Sequence, residues 1–90
     1  MKHEAILEEL EAAASALSVK VSYESLQAIM GAGGLCRVRG EHRIIIDKRA
    51  QVGERVATLA QSLAKFDLSG VELSPAVRDL VRHYALRRAS

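Results

Sequence analysis

The stretch Ala50–Phe66 constrains the fold more than any other part of the chain. Val52, Val56, Leu59, Ala60, Leu63 and Phe66 recur at i, i+4, i+7, i+8, i+11 and i+14, the spacing that places side chains along one side of an α-helix. A helix with such a stripe must press it onto a second apolar surface. That surface has to be aliphatic, because the chain holds only Tyr23, Phe66 and Tyr84 as aromatics and no Trp. With 90 residues one small domain is expected over residues 1–90, burying roughly 60–65% of the surface its unfolded chain exposes.

Helical spacing recurs twice more. Ile6, Leu7, Leu10, Ala14 and Leu17 form a stripe over residues 3–17, with Glu4, Glu8, Glu9 and Glu11 on or beside its wet face and concentrated near the positive end of the helix dipole. Ser74-Pro75 is a start signal, an N-cap serine before a proline at the first helical position. Val77, Leu80, Val81, Tyr84 and Ala85 follow at helical spacing.

Between the first two helices the period changes to two. Val19, Val21 and Tyr23 alternate with Lys20, Ser22 and Glu24, the pattern of a half-buried strand. Residues 25–30 fit either a short helix or a loop, and Gly31-Ala32-Gly33-Gly34 reads as a flexible connector. Leu35–Arg39 and His42–Asp47 then read as a hairpin around Gly40-Glu41, with glycine at the first central position of a type II′ turn. In that register Arg37 faces Ile44 and Leu35 faces Ile46. The expected fold is α+β: a three-stranded, mainly antiparallel sheet with about three packed helices, in the order α-β-β-β-α-α.

Ile44-Ile45-Ile46 is a continuous β-branched run, as in strands covered on both sides. Ninety residues cover a second sheet face with difficulty, so a partner is expected, most simply a second copy forming a homodimer. The expected contact surface uses Leu35, Ile44 and Ile46, with Arg37 and Arg39 at its rim.

Charge is unevenly spread. Residues 1–30 carry two cations against five anions, and residues 31–90 carry eleven against six. Arg78, Arg82, Arg87 and Arg88, with Arg43 and the hairpin arginines, form an expected basic surface. It suits an acidic protein face before nucleic acid, since no helix-turn-helix or basic-aromatic pattern accompanies it. No apolar run approaches the roughly 20 residues that span a bilayer. Met1-Lys2-His3-Glu4 leads into acidic helical sequence, not an apolar signal segment, so a cytoplasmic location is expected.

Arg43-Ile44-Ile45-Ile46-Asp47, followed by the helix with Glu54, Arg55, Thr58, Leu59, Ala60 and Leu63, resembles the core of small zincin-type metallopeptidases of mobile-element regulators. There an Ile- and Val-rich edge strand leads into a helix reading roughly E-R-x-x-x-T-L-A-H-E-L-x-H. The resemblance covers residues 42–66. It implies zinc-binding histidines at Gln61 and Lys65 and a general-base glutamate at Ser62. Neither Gln61 nor Lys65 supplies imidazole, thiolate or carboxylate, and Ser62 has no carboxylate to activate water. What the resemblance implies is therefore a scaffold without its chemistry.

Other reactive candidates are few. Cys36, the single cysteine, sits in an apolar row with Val38 and Ile45 and reads as a buried structural thiol. His3, His42 and His83 have no metal-ligand spacing and read as exposed side chains. The glycine loop lacks the Lys-Ser/Thr ending of a phosphate loop. The expected catalytic, metal and cofactor-binding residues are none. A non-enzymatic, self-associating interaction module is the first expectation, and a regulator binding DNA or an acidic protein through its arginines is the second.

Overall fold

A computed structural model of the chain describes residues 2–25 and 34–89, the last three of them by their helical backbone alone. The elements are α1 (His3–Ala16), β1 (Lys20–Glu24), β2 (Gly34–Val38), β3 (Glu41–Asp47), α2 (Val52–Leu63) and α3 (Pro75–Ala89). This is the expected α+β order. The ambiguous stretch 26–30 and most of the glycine loop lie outside the described residues.

The sheet is mixed, not mainly antiparallel. Its order is β1-β3-β2, with β3 central. β1 runs parallel to β3, Lys20 beside Arg43 and Glu24 beside Asp47. β2 and β3 form the hairpin, with Leu35 opposite Ile44 and Val38 opposite Glu41.

That hairpin register corrects the expected turn. The two central residues are Arg39 and Gly40, at φ 53° and 81°, the signature of a type I′ turn. The type II′ alternative would have set Arg37 opposite Ile44. Ile44 is fully buried, so that register would have drawn a guanidinium toward the core. In the observed register Arg37 lies opposite His42, near the turn. The required compromise is a non-glycine residue in the left-handed region at Arg39.

α1 ends in a Schellman cap. Ser18 adopts φ 60°, its N–H donates to the Ser15 carbonyl, and the Val19 N–H reaches back to Ala14. Val19 is buried at once, so the cap aims the chain directly into β1. α3 begins as read, with the Val77 N–H donating to Ser74 Oγ at 3.4 Å. Glu9 of α1 accepts the Ser74 N–H at 2.6 Å, placing a carboxylate at the positive end of α3.

α1 and α2 lie on one face of the sheet, and α3 packs against α2 and α1. The core joins Leu10, Ala13 and Ala14 of α1, Ile44 and Ile46 of β3, Val56, Leu59, Ala60 and Leu63 of α2, and Val77 and Val81 of α3. It is aliphatic as expected; Tyr23, Phe66 and Tyr84 pack at its margin. α2 is shorter than the expected Ala50–Phe66: it ends at Leu63, so Phe66 lies three residues beyond it, and both Val52 and Phe66 are only half-buried.

Candidate interaction surfaces

Alternation along β3 divides the sheet into two faces. Ile44 and Ile46 are 0% and 1% exposed and point into the core. Val21 and Tyr23 lie beside them on β1, and Leu35 lies beside Ile44 on β2. The opposite face carries Glu41, Arg43, Ile45 and Asp47 of β3. Lys20, Ser22 and Glu24 flank these on one side, and Gly34, Cys36 and Val38 on the other. Among the described residues no helix packs on this face.

The expected contact surface is therefore inverted. Leu35, Ile44 and Ile46 belong to the covered face, and their apolar area is spent on α1 and α2. β3 already favours one face: Ile44 and Ile46 lie on the covered side, and Ile45 shares the other with Glu41, Arg43 and Asp47. β1 makes the same choice: its apolar residues align with Ile44 and Ile46, and its polar residues align with Ile45. The alternation of Lys20–Glu24 was the sequence signal that could have settled the choice, had the parallel register been known.

Charge on the open face is ordered along the strands. Lys20 and Arg43 share one level, and Glu24 and Asp47 share another four residues along. Lys20 approaches Glu41 at 3.8 Å with both side chains well exposed, a contact worth little in water. Ser22 Oγ donates to Glu24 at 2.9 Å. Asp47 Oδ1 accepts the Arg49 N–H at 3.0 Å and closes the turn after β3. The Nε of Arg43 is buried and has no hydrogen-bond partner among the described residues.

Cys36 is half-buried on this same face, directly opposite Arg43. It is thus not enclosed in the core, and Arg43 is its immediate cross-strand neighbour, not a diagonal one. The expected arginine grouping also separates. Arg37 and Arg39 are exposed at the turn end of the hairpin, Arg43 lies on the open face, and Arg78 and Arg82 are exposed on α3. The side chains of Arg87 and Arg88 fall outside those described.

A cluster that sequence reasoning missed ties three elements together. The Tyr23 hydroxyl donates to Glu11 of α1, and the Arg55 guanidinium of α2 stands 5.0 Å from the centre of the Tyr23 ring. Arg55 also donates from Nε to the Ala50 carbonyl at 2.9 Å and from Nη2 to the Lys48 carbonyl at 3.0 Å. It clamps the turn that joins β3 to α2. Burial and then the Glu11 carboxylate push the Tyr23 phenol up to about 12, against a smaller opposing pull from Arg55. The phenol therefore stays protonated at neutral pH and serves as a hydrogen-bond donor.

The positions that the zincin resemblance singles out diverge in space. Gln61 and Lys65 are exposed. Ser62 is buried, and its hydroxyl donates to the Thr58 carbonyl at 2.8 Å. His3 is exposed and lies beside Gly53, where a Cβ would meet the imidazole ring at 3.7 Å. His83 is exposed next to Tyr84. His42 departs from expectation: it is half-buried, edge-on to Phe66 with ring centres 5.1 Å apart. Among the described residues no three His, Cys, Asp or Glu side chains gather as a metal-binding group. Nor is any described helix long and apolar enough to cross a membrane.

Comparison with protein-family models, with characterised proteins and with solved structures finds no match for this chain.

Proposed function

We propose that the chain is a cytoplasmic, non-enzymatic interaction module that pairs with a second copy through the open face of its sheet. The observation that carries this reading is Ile45. It sits at the centre of β3 on a face where no described helix packs, between Ser22 and Gly34, with Cys36 and the 42%-exposed Val38 further along the same face toward the turn. A central-strand isoleucine gains most from burial, worth roughly 1.5–3 kcal/mol when complete.

The charge order supports a copy as the partner. A two-fold axis lying between two such faces and across the strands reverses the levels of one sheet against the other. Lys20 and Arg43 of one copy then meet Glu24 and Asp47 of the other, and Ile45 meets its own equivalent. Aligned sheets about 10 Å apart accommodate that arrangement. Sedimentation equilibrium through the micromolar range tests it. A concentration-dependent dimer that Ile45→Glu converts to a folded monomer is expected; a strict monomer, or a dimer indifferent to Ile45→Glu, rejects it.

A second reading rests on Arg37, Arg39, Arg78 and Arg82. All four are exposed, and none is in an ion pair among the described residues. Exposed cations of this kind, at the hairpin turn and on α3, suit duplex DNA or an acidic protein. Salt-sensitive binding to a DNA duplex, weakened in the Arg78→Ala/Arg82→Ala variant, favours that reading, and no binding at low salt ends it.

A further inference from the structure

β1 is an edge strand, and the direction of its free backbone groups follows from one hydrogen bond. The Glu24 carbonyl accepts the Lys48 N–H at 3.0 Å, so Glu24 turns its backbone groups toward the β3 side. Strand alternation gives Ser22 and Lys20 the same direction and turns the N–H and C=O of Val21 and Tyr23 outward. The edge is short and has charged ends at Lys20 and Glu24, but two of the usual guards are missing. Lys20–Glu24 contains no proline, and its register with β3 is continuous, without a bulge.

A groove of about 500 Å³ runs along this edge. Glu11 and Ser15 of α1 line it on the helix side, Val21 and Ser22 at the strand, and Lys20 and Arg43 on the open side. Outward backbone groups with no partner among the described residues, beside a groove with room for side chains, meet the two requirements for adding a strand.

The flanking helix decides what kind of strand fits. Glu4, Glu8, Glu11 and Ser15 follow at i, i+4, i+7 and i+11 of α1, so they share one flank. Ser15 lines the groove, and Glu11 reaches Tyr23, which orients that flank over β1. Pairing β1 with the β1 of a second copy would set strands about 4.8 Å apart while bringing two α1 helices together above them. Packed helices need about 8–10 Å, and these two would meet through rows of glutamates. A strand without a helix above it escapes both problems.

Charge on the open side is mixed, with Glu24 and Asp47 at the far end of the strand, but at the Lys20 end the demand is for negative charge. Lys20 and Arg43 are adjacent across the β1–β3 pair, and the buried Arg43 Nε lacks a partner among the described residues. We propose that the β1 edge takes an extended peptide as a fourth strand. Its outward-facing amides pair with Val21 and Tyr23, and its alternate acidic side chains lie over Lys20 and Arg43. Uncharged side chains of the peptide pass on the helix side, beside Val21 and Ser15. Pairing through the open face would engage the same Lys20 and Arg43, so this docking is measured in the folded Ile45→Glu variant, where that pairing is lost.

The test uses a short acetylated and amidated peptide alternating valine and glutamate, with a valine–lysine peptide as the control. The glutamate peptide is expected to shift the backbone amide signals of Val21 and Tyr23. Arg43→Gln is expected to weaken binding about tenfold and Lys20→Gln about threefold. Methylating alternate peptide nitrogens separates strand addition from charge attraction: the set that faces β1 abolishes binding, and the other set leaves it. The proposal is overturned by equal binding of the lysine peptide, by equal effects of the two methylated sets, by shifts confined to α3 or the hairpin turn, or by no binding. Protection of the Val21 and Tyr23 amides in a dimer without peptide overturns it too, because the occupant is then a second copy.

Discussion

Ile44 and Ile45 are neighbours of identical chemistry with opposite fates. Ile44 is fully buried under the helices, and Ile45 is half-buried on the face where no described helix packs. The one-residue step between them is the period of the strand, and the partners on β1 give it meaning. Val21 stands beside Ile44, and Ser22 beside Ile45. An apolar run in a central strand therefore says that both faces can be covered. The edge strand says which face the domain covers for itself.

The sharpest test of that contrast introduces a carboxylate at each position. Ile44→Glu buries an unpaired charge among Leu10, Leu59 and Leu63, the company of the core, and is expected to cost more than about 4 kcal/mol. Set against a typical stability of roughly 5–15 kcal/mol, this leaves little folded protein. Ile45→Glu is expected to keep its circular dichroism spectrum and cooperative urea transition, losing only self-association. A folded Ile44→Glu variant would falsify the assignment of the two faces.

Truncations repeat the comparison more gently. Leu59→Ala removes a fully buried side chain and should lower the urea-derived stability by about 3 kcal/mol. In the monomeric Ile45→Glu background Val38→Ala, on the open face and 42% exposed, should change it by less than about 0.5 kcal/mol. Similar losses at the two sites in that monomer would mean that the chain covers the open face itself.

The Tyr23 cluster links the covered face to its edge and adds a pH signature. The folded phenol is held up to about 12 against an ordinary value of 10, so the folded state keeps its proton longer than the unfolded chain does. The stabilisation is complete below pH 10 and is lost as pH rises through the folded value. Urea midpoints should fall between pH 10 and about 12, and the fall should vanish in Tyr23→Phe. A midpoint that drops equally in both proteins would place its cause elsewhere.

Local patterns were legible in the sequence, and long-range partnerships were not. The α2 stripe, the Ser74-Pro75 start and the hairpin itself depend on neighbours within a few residues, and all three stand in the structure. The parallel pairing of β1 with β3 joins residues more than twenty positions apart, and nothing near Val21 announces it. The Glu11–Tyr23–Arg55 cluster needs three separate elements in place. The turn failed for a narrower reason. Gly40 satisfies the first central position of a type II′ turn and the second of a type I′ turn equally well, and only the buried environment of Ile44 decides between them. Both registers keep the same residues on the same faces, so the inversion of the contact surface came from the missing β1 alignment and not from the turn.

That distinction can be tested at Arg39 itself, where the smallest effect is expected. A type I′ turn asks for φ > 0 at both central residues, and Asn-Gly meets this with less strain than Arg-Gly. Arg39→Asn should therefore raise stability by about 0.5 kcal/mol and slow amide exchange across β2 and β3. Under a type II′ turn position 39 would lie outside the two central residues, and asparagine there would gain nothing. Because the I′ register holds Leu35 against Ile44, tightening the turn should leave the Ile44→Glu and Ile45→Glu contrast intact. A loss of stability in Arg39→Asn would instead return the hairpin to the register that sets Arg37 against Ile44. The two-face comparison would survive that change, because both registers put Ile44 and Ile45 on the same faces.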